Sequence, residues 1–263
     1  MRRMRSILRF LLPLAALATR GACAADDDKL SLTTGFDYST GSYGESQDTT
    51  ITYIPVTGKY ETGPWTFGLT VPWIDVNGPG DVVRDIGPVR ANGRRLTSNT
   101  ATRDESGLGD IIAAATYNAF SSPDGRALDL TAKYKFGTAD RDKGLGTGED
   151  DIYLEVDAYR TIDRFTPFVT LGYKILGSPP GIPLNNVFFA QFGGSYKLDD
   201  IRSVGLMWFG QQAVVDGGPP MSEVTAFYTQ KLSPLWKAQL YGVLGLADGS
   251  PDYGIGAMVT RSF

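Results

Sequence analysis

Apolar and polar residues alternate with a period of two along most of the chain beyond residue 28. The clearest run places Trp65, Phe67, Leu69, Val71 and Trp73 on one face, with polar or small residues between them. Comparable runs cover residues 30–39, 128–136, 152–159, 236–246 and 253–263, whereas residues 49–60 and 201–212 follow the pattern only in part. Because successive side chains of a strand point to opposite faces, each run predicts a β-strand with one apolar face.

The connections between these runs alternate between short and long. Short ones fall at residues 61–64, 121–125, 161–164, 197–200 and 232–235, and longer ones at 41–48, 75–105, 139–150, 178–184, 213–220 and 248–251. Tight turns at one end and larger loops at the other are typical of outer-membrane barrels. The pattern predicts an all-β fold, a transmembrane antiparallel up-and-down β-barrel of about 12 strands over residues 25–263, with a long external loop at about 75–105.

Aromatic residues at both ends of a strand favour a membrane barrel over a soluble sandwich, which would also alternate. Trp65 and Trp73 lie eight residues apart on one face, which is about 26 Å along a strand. This length is close to the lipid-facing band of about 25 Å that aromatic girdles bound in such barrels. We therefore expect the apolar side chains to face lipid and the polar ones to line an enclosed interior.

The first 24 residues have the composition of an export signal. Residues 2–9 contain four arginines, residues 10–18 are apolar, and Ala22-Cys23-Ala24 offers a small-x-small cleavage site. A lipoprotein anchored through Cys23 is the alternative, although Arg20 stands where an aliphatic residue is expected. We expect cleavage after Ala24, export, and residence in the outer membrane of a Gram-negative bacterium.

Charge and composition exclude several classes of function. Removal of the signal lowers the net charge from −4 to −9, because five of the 25 basic residues lie there and all 29 acidic residues follow it. This balance disfavours nucleic acid, which selects clustered positive charge. The chain has no histidine, so a Ser/His/Asp hydrolase or a His-ligated metal site cannot be built. A glycosidase using two carboxylates stays open, but without an evident nucleophile–base pair we expect no enzyme activity, cofactor or metal.

The polar face of the strands carries both acids and bases, and we expect it to line the interior. The charged residues on this face are Asp37, Asp110, Asp129, Lys133, Lys135, Glu155, Asp157, Lys174 and Glu223, together with Lys59, Lys197, Lys231 and Lys237. Buried charges need partners or water. Two interpretations follow: a closed barrel whose charges pair as a structural network, and a narrow, water-filled passage whose charges select solutes.

Two further groups of residues bear on a solute path. Large apolar residues expected on the interior face are Phe168, Phe189, Met207, Phe209 and Phe227. They could contact an aromatic or aliphatic solute, or they could be ordinary packing under a loop.

The 75–105 loop is long enough to fold inward as a constriction, to bind lipopolysaccharide phosphates, or to lie solvated on the surface. Its arginines are Arg84, Arg90, Arg94, Arg95 and Arg103.

Several short motifs resemble the MetA-pathway-of-phenol-degradation family of outer-membrane barrels. They are Tyr53-Ile54-Pro55, the segment from Trp65 to Val71-Pro72-Trp73-Ile74, Gly78, and Ser106-Gly107-Leu108-Gly109-Asp110. Outside residues 50–120 the resemblance rests on the strand pattern and on Phe263, which also resembles the terminal assembly signal of outer-membrane proteins. The resemblance implies a barrel and a role in transport, without a substrate and without catalytic residues.

Together these features predict passive passage of small, partly apolar solutes, aromatic ones included, through the barrel. A structural or surface-adhesion barrel without a pore is the alternative. The expected partners are the lipid bilayer, lipopolysaccharide, a small-molecule solute, and the assembly machinery that recognises the C-terminal strand ending in Phe263.

Overall fold

The computed structural model describes residues 28–79, 81–89 and 103–263. The export signal expected at residues 1–24 therefore lies outside the described residues. Within the described ranges, no helix is both long enough and apolar enough to cross a membrane.

The described residues form fifteen β-strands. They are β1 (Lys29–Gly41), β2 (Thr49–Thr62), β3 (Trp65–Gly78), β4 (Val82–Val83), β5 (Gly87–Pro88), β6 (Arg103–Leu108), β7 (Ile111–Ser121), β8 (Arg126–Phe136), β9 (Asp151–Arg160), β10 (Phe165–Ile175), β11 (Val187–Lys197), β12 (Arg202–Gln211), β13 (Met221–Lys231), β14 (Trp236–Gly245) and β15 (Tyr253–Ser262).

All strands except β4 and β5 belong to one antiparallel sheet that closes on itself. Strand β1 pairs with both β2 and β15, so that Thr33 lies opposite Thr57 on one side and Thr260 on the other. Strand β3 pairs with β6 along one half and with β7 along the other, so β6 and β7 act as a single barrel strand interrupted at Gly109 and Asp110. The described strands thus form a closed 12-stranded barrel, which confirms the predicted fold class.

The connections follow the predicted alternation. Short turns at 63–64, 122–125, 161–164, 198–201 and 232–235 lie at one end of the barrel. Loops at 42–48, 137–150, 176–186, 212–220 and 246–252 lie at the other end, where β3 also ends and β6 begins. Following the plan of outer-membrane barrels, we call the turn end the periplasmic end and the loop end the external end.

The apolar positions of the alternation lie on the outer surface of the barrel. Trp65 and Trp73 remain 42% and 46% exposed, and Leu171 in the middle of β10 is 60% exposed. The intervening residues face inward and are buried, as Thr131 and Asp157 illustrate. An outer belt of large apolar side chains around a polar interior is the arrangement expected of a barrel in lipid, and it is opposite to that of a soluble sandwich.

The described part of the long loop folds into the barrel interior, which is one of the alternatives that the sequence left open. Strands β4 and β5 form a small hairpin, residues 81–89, in which Val89 N donates to Asp81 O at 2.8 Å. We call this segment the inner hairpin. Its side chains Val82, Val83, Ile86 and Val89 are each no more than 4% exposed. Burial of these apolar groups is favourable, which explains why the segment folds inward.

The inner hairpin lies between two apolar clusters at the external end. Three of its residues pack against side chains of the 176–186 and 212–220 loops and their neighbours: Tyr153, Leu176, Ile182, Leu184, Val187, Val214 and Val215. Val82 packs on the other side with Tyr43, Ile51, Tyr53, Ile74, Val76, Ala139 and Leu145. The hairpin thus fills much of the external end of the interior.

Candidate functional site

An arginine at the tip of the inner hairpin attaches it to the barrel wall. Arg84 Nη2 lies 3.6 Å from Asp37 Oδ1, and the Arg84 guanidinium carbon lies 3.5 Å from the centre of the Tyr53 ring. The other Asp37 oxygen accepts a hydrogen bond from Tyr241 at 2.7 Å. Arg84 and Asp37 were both predicted from the sequence, and the fold brings them together.

Two more side chains of the wall hold the backbone of the inner hairpin. Lys174 Nζ donates to the carbonyl oxygen of Asp85 at 2.5 Å, and Gln211 Nε2 donates to that of Ile86 at 3.0 Å. Asp85 has a φ of 63°, in the left-handed region, and this conformation allows the tight turn between β4 and β5. The hairpin is therefore held from β1, β10 and β12.

Several predicted interior charges form ion pairs. Lys133 Nζ lies 2.6 Å from Glu155 Oε1. Lys135 Nζ lies 2.9 Å from Asp110 Oδ2 and 2.7 Å from Asp151 Oδ2, and all three side chains are buried. The two aspartates also accept backbone hydrogen bonds from the 137–150 and 176–186 loops. This triad therefore fastens two external loops to the barrel.

The remaining predicted acids accept hydrogen bonds from neutral groups. Asp129 accepts from Asn118 at 2.6 Å, and Asp157 accepts from Thr170 at 2.6 Å. All of these carboxylates face inward, as predicted.

The predicted interior phenylalanines fall into two groups. Phe189 and Phe209 lie near the inner hairpin, with their ring centres 5.3 Å and 6.0 Å from Lys174 Nζ. Phe168 and Phe227 belong to a third apolar cluster, separate from the two around the inner hairpin. Its other members are Ala127, Tyr159, Met207, Tyr241, Val243 and Met258. These side chains make one side of the interior apolar and bulky.

A cavity of about 270 Å³ runs between this bulky side and a side of small residues. We define the small-residue wall as Thr57, Thr66, Gly68, Thr70, Ala114 and Thr116, on β2, β3 and β7. We define the apolar wall as Phe189, Met207, Phe209, Met221, Tyr241 and Met258, on β11 to β15. The cavity extends from Val82 and Arg84 of the inner hairpin to Lys59 and Thr66, which are close to the periplasmic turn at 63–64.

Gly68 lies opposite Ala114 in the β3–β7 ladder, and both residues line the cavity. A side chain built on Gly68 would place its first carbon 3.7 Å from Ala114 Cβ, an ordinary contact. There is therefore room for a side chain at Gly68 on the cavity side of the wall.

The charges that line the cavity are balanced. Four acids, Asp37, Asp85, Glu155 and Glu223, face four bases, Lys59, Arg84, Lys133 and Lys174. Tyr43 contributes from the 42–48 loop, and burial raises the pKa of its hydroxyl to about 12, so it stays neutral at physiological pH. A balanced lining gives no strong preference for a solute of either sign.

The neutral members of the site were not predicted from the sequence. These include the buried tyrosines Tyr53 and Tyr241, the amide of Gln191, and the threonines of the small-residue wall. The partial fit of residues 49–60 to strict alternation was the available signal, because Ile51 and Tyr53 face inward to meet the inner hairpin while Ile54 and Val56 face outward. Arg90, Arg94, Arg95 and the side chain of Arg103 lie outside the described residues.

In the part of the chain that the structure describes, no group of three or more histidine, cysteine, aspartate or glutamate residues is placed to hold a metal ion.

Comparison with known proteins identifies similar folds rather than similar sequences. No family model matches the chain. No curated protein matches its sequence. The crystal structure of an outer-membrane channel from Pseudomonas putida F1 superposes with a TM-score of 0.67 at 13% identity, covering 92% of this chain and 97% of that one. The KdgM porin superposes with a TM-score of 0.51 at 9% identity, covering 89% and 99%. The fold is therefore that of outer-membrane barrels.

Proposed function

We propose that this protein is an outer-membrane channel through which small, partly apolar solutes, aromatic ones included, pass by diffusion. The observation that carries the proposal is the cavity between the small-residue wall and the apolar wall, which runs from the inner hairpin to residues near the periplasmic turns. The apolar outer belt supports a location in lipid. The resemblance to the MetA-pathway-of-phenol-degradation family is consistent with this role.

The two walls explain why the solute would be partly apolar. Rings and thioethers such as Phe209 and Met207 bind aromatic and aliphatic surfaces well. Threonine hydroxyls on the opposite wall offer hydrogen bonds, although Thr57 and Thr116 also bond to neighbouring threonines at 2.9 Å. A molecule with an apolar body and a polar edge matches both walls, whereas a strongly charged one matches neither.

The inner hairpin is the proposed constriction of the channel. It enters the interior from the external end and is held there by Arg84, Lys174 and Gln211. We propose that Arg90, Arg94, Arg95 and Arg103, which belong to the same loop, attract anionic groups at the external mouth, including lipopolysaccharide phosphates. In the same proposal residues 1–24 direct export, and the strand ending in Phe263 is recognised during assembly.

The inner hairpin also favours the alternative, a barrel that does not conduct. Its apolar contacts with the loops fill much of the external end, and the ion pairs of Lys133 and Lys135 would serve as a structural network. The two functions differ in whether water and solutes pass through the interior of the barrel.

Reconstitution of the purified protein separates the two functions. We expect the full-length mature protein to conduct ions in planar bilayers and to allow small neutral sugars to swell liposomes, with protein-free vesicles as the control. Absence of both conductance and swelling would remove the transport proposal and leave the structural one.

A further inference from the structure

Three buried glutamines face the described interior, and their amides are used differently. Gln211 donates to the carbonyl oxygen of Ile86 in the inner hairpin, and Gln239 donates to Thr229 at 3.2 Å. Gln191 is equally buried, at 2% exposure, yet its Nε2 has no hydrogen-bond partner among the described residues. A buried donor without a partner costs free energy, so this arrangement needs an explanation.

Gln191 is one of the residues that line the cavity. It lies on β11, and neither Gln211 nor Gln239 is among the lining residues. The neighbours of Gln191 in the adjoining strands are Thr170 and Phe209. The hydroxyl of Thr170 donates to Asp157 at 2.6 Å, and no described residue accepts a hydrogen bond from Gln191 Nε2. The ring of Phe209, the strand neighbour on the other side, offers no strong acceptor.

We propose that Gln191 is a solute-binding residue whose Nε2 donates a hydrogen bond to an oxygen of the solute while the solute's ring packs on Phe209. The inference rests on the proposed channel function and names the solute class more closely: uncharged molecules with an aromatic body and a carbonyl or hydroxyl oxygen. The polar group is neutral because the amide of Gln191 carries no charge and the charges lining the cavity are balanced.

The surroundings of Gln191 agree with this class. Glu155 and Glu223 face the same cavity, and Glu223 lies directly opposite Phe209 across the β12–β13 ladder. These carboxylates disfavour an anionic oxygen near Phe209. Lys174 is the nearby cation that would attract an anion, but its ammonium group is bonded to the inner hairpin through Asp85 O. A carboxamide or hydroxyl therefore fits this place better than a carboxylate.

The test measures how long a probe interrupts the ion current of the reconstituted full-length mature protein. The probe is benzamide, compared with benzoate, which is charged, and with toluene, which lacks the oxygen. We expect Gln191→Met, which keeps the length of the side chain, to shorten the benzamide interruptions about three- to tenfold, as loss of one hydrogen bond implies. The matched change Gln239→Met, in the interior but away from the cavity, should leave them as in wild type. Heat-dependent migration in gels confirms that both variants fold.

The outcomes separate this inference from the proposed function. Equal benzamide interruptions in wild type and Gln191→Met, or none in a conducting wild type, overturn the role of Gln191 and leave the channel intact. Longer interruptions by benzoate that Gln191→Met does not change overturn it too, and assign binding to Lys174. A wild-type protein that conducts nothing overturns the channel and this inference with it.

Discussion

Arg84 of the inner hairpin and Asp37 of β1 form an ion pair inside the barrel, with 3.6 Å between Nη2 and Oδ1. The guanidinium group is charged at every physiological pH, and it also lies against the face of Tyr53. Both side chains are largely shielded from solvent, so salt screens the pair only weakly. The pair therefore holds the proposed constriction against the wall.

Replacing Arg84 by methionine should loosen the inner hairpin. The ion pair and the ring contact are lost while an unbranched apolar side chain remains, so we expect the mean single-channel conductance to rise at least about twofold, with more frequent switching between levels. The control is Lys143→Met, which removes an ion pair of 3.7 Å between the exposed loop residue Lys143 and the partly exposed Glu105 of β6. Equal conductance in Arg84→Met and wild type would mean that the pair does not hold the constriction.

Removing the tip of the inner hairpin should have a larger effect on both conductance and stability. In a variant with residues 82–88 replaced by two glycines, we expect a conductance above that of Arg84→Met. Burial of each valine or isoleucine stabilises by about 1.5–3 kcal/mol, so the free energy of unfolding should fall by several kcal/mol. Urea unfolding in lipid vesicles measures the second quantity. Wild-type conductance in this variant would show that the hairpin does not restrict the path.

Two adjacent residues of β8 test which face meets lipid. Leu130 points outward and is 43% exposed, whereas Thr131 points inward and is buried. We expect Leu130→Arg to lower the free energy of unfolding in vesicles by about 2–4 kcal/mol, as arginine does near the middle of a bilayer. Thr131→Arg, with its charge toward the interior, should cost much less stability and reduce conductance. The reverse order of stabilities would contradict the orientation of the barrel.

Removing only the cation of the buried triad Lys135, Asp110 and Asp151 should lower the stability of the protein strongly. Lys135→Met leaves two buried carboxylates without their cation, and we expect the free energy of unfolding to fall by about 3–5 kcal/mol. The triple variant with Asp110→Asn and Asp151→Asn should recover much of this loss, because no unpaired charge remains. If the triple variant is no more stable than Lys135→Met, the charges are not what stabilises this region.

Alternation along the sequence was sufficient to predict the barrel and which face of a clearly alternating strand points inward. This succeeded because a strand has a fixed period of two, so one apolar face determines the other. Asp129, Lys133 and Glu155, for example, face inward as their positions relative to Leu130 and Leu154 require.

The position of the inner hairpin could not be predicted in the same way. Residues 81–89 have no long alternation, and their burial depends on contacts with the 176–186 and 212–220 loops, which are distant in sequence. The pairing of Arg84 with Asp37 depends on the same packing. Likewise, Gln191 was not predicted, because only the cavity and its neighbours show that its amide is unlike those of Gln211 and Gln239.

The most direct test of the channel compares one tryptophan placed on each side of the same barrel wall. Gly68 faces the cavity and Gly58, on the neighbouring strand, lies on the outer face, and the first carbon of a side chain at either position meets no close contact. Planar-bilayer recordings should show that Gly68→Trp reduces ion conductance by at least about half, because the ring narrows the cavity beside Ala114, whereas Gly58→Trp conducts like wild type. Full conductance in Gly68→Trp, in a correctly folded protein, would contradict a solute path along the small-residue wall.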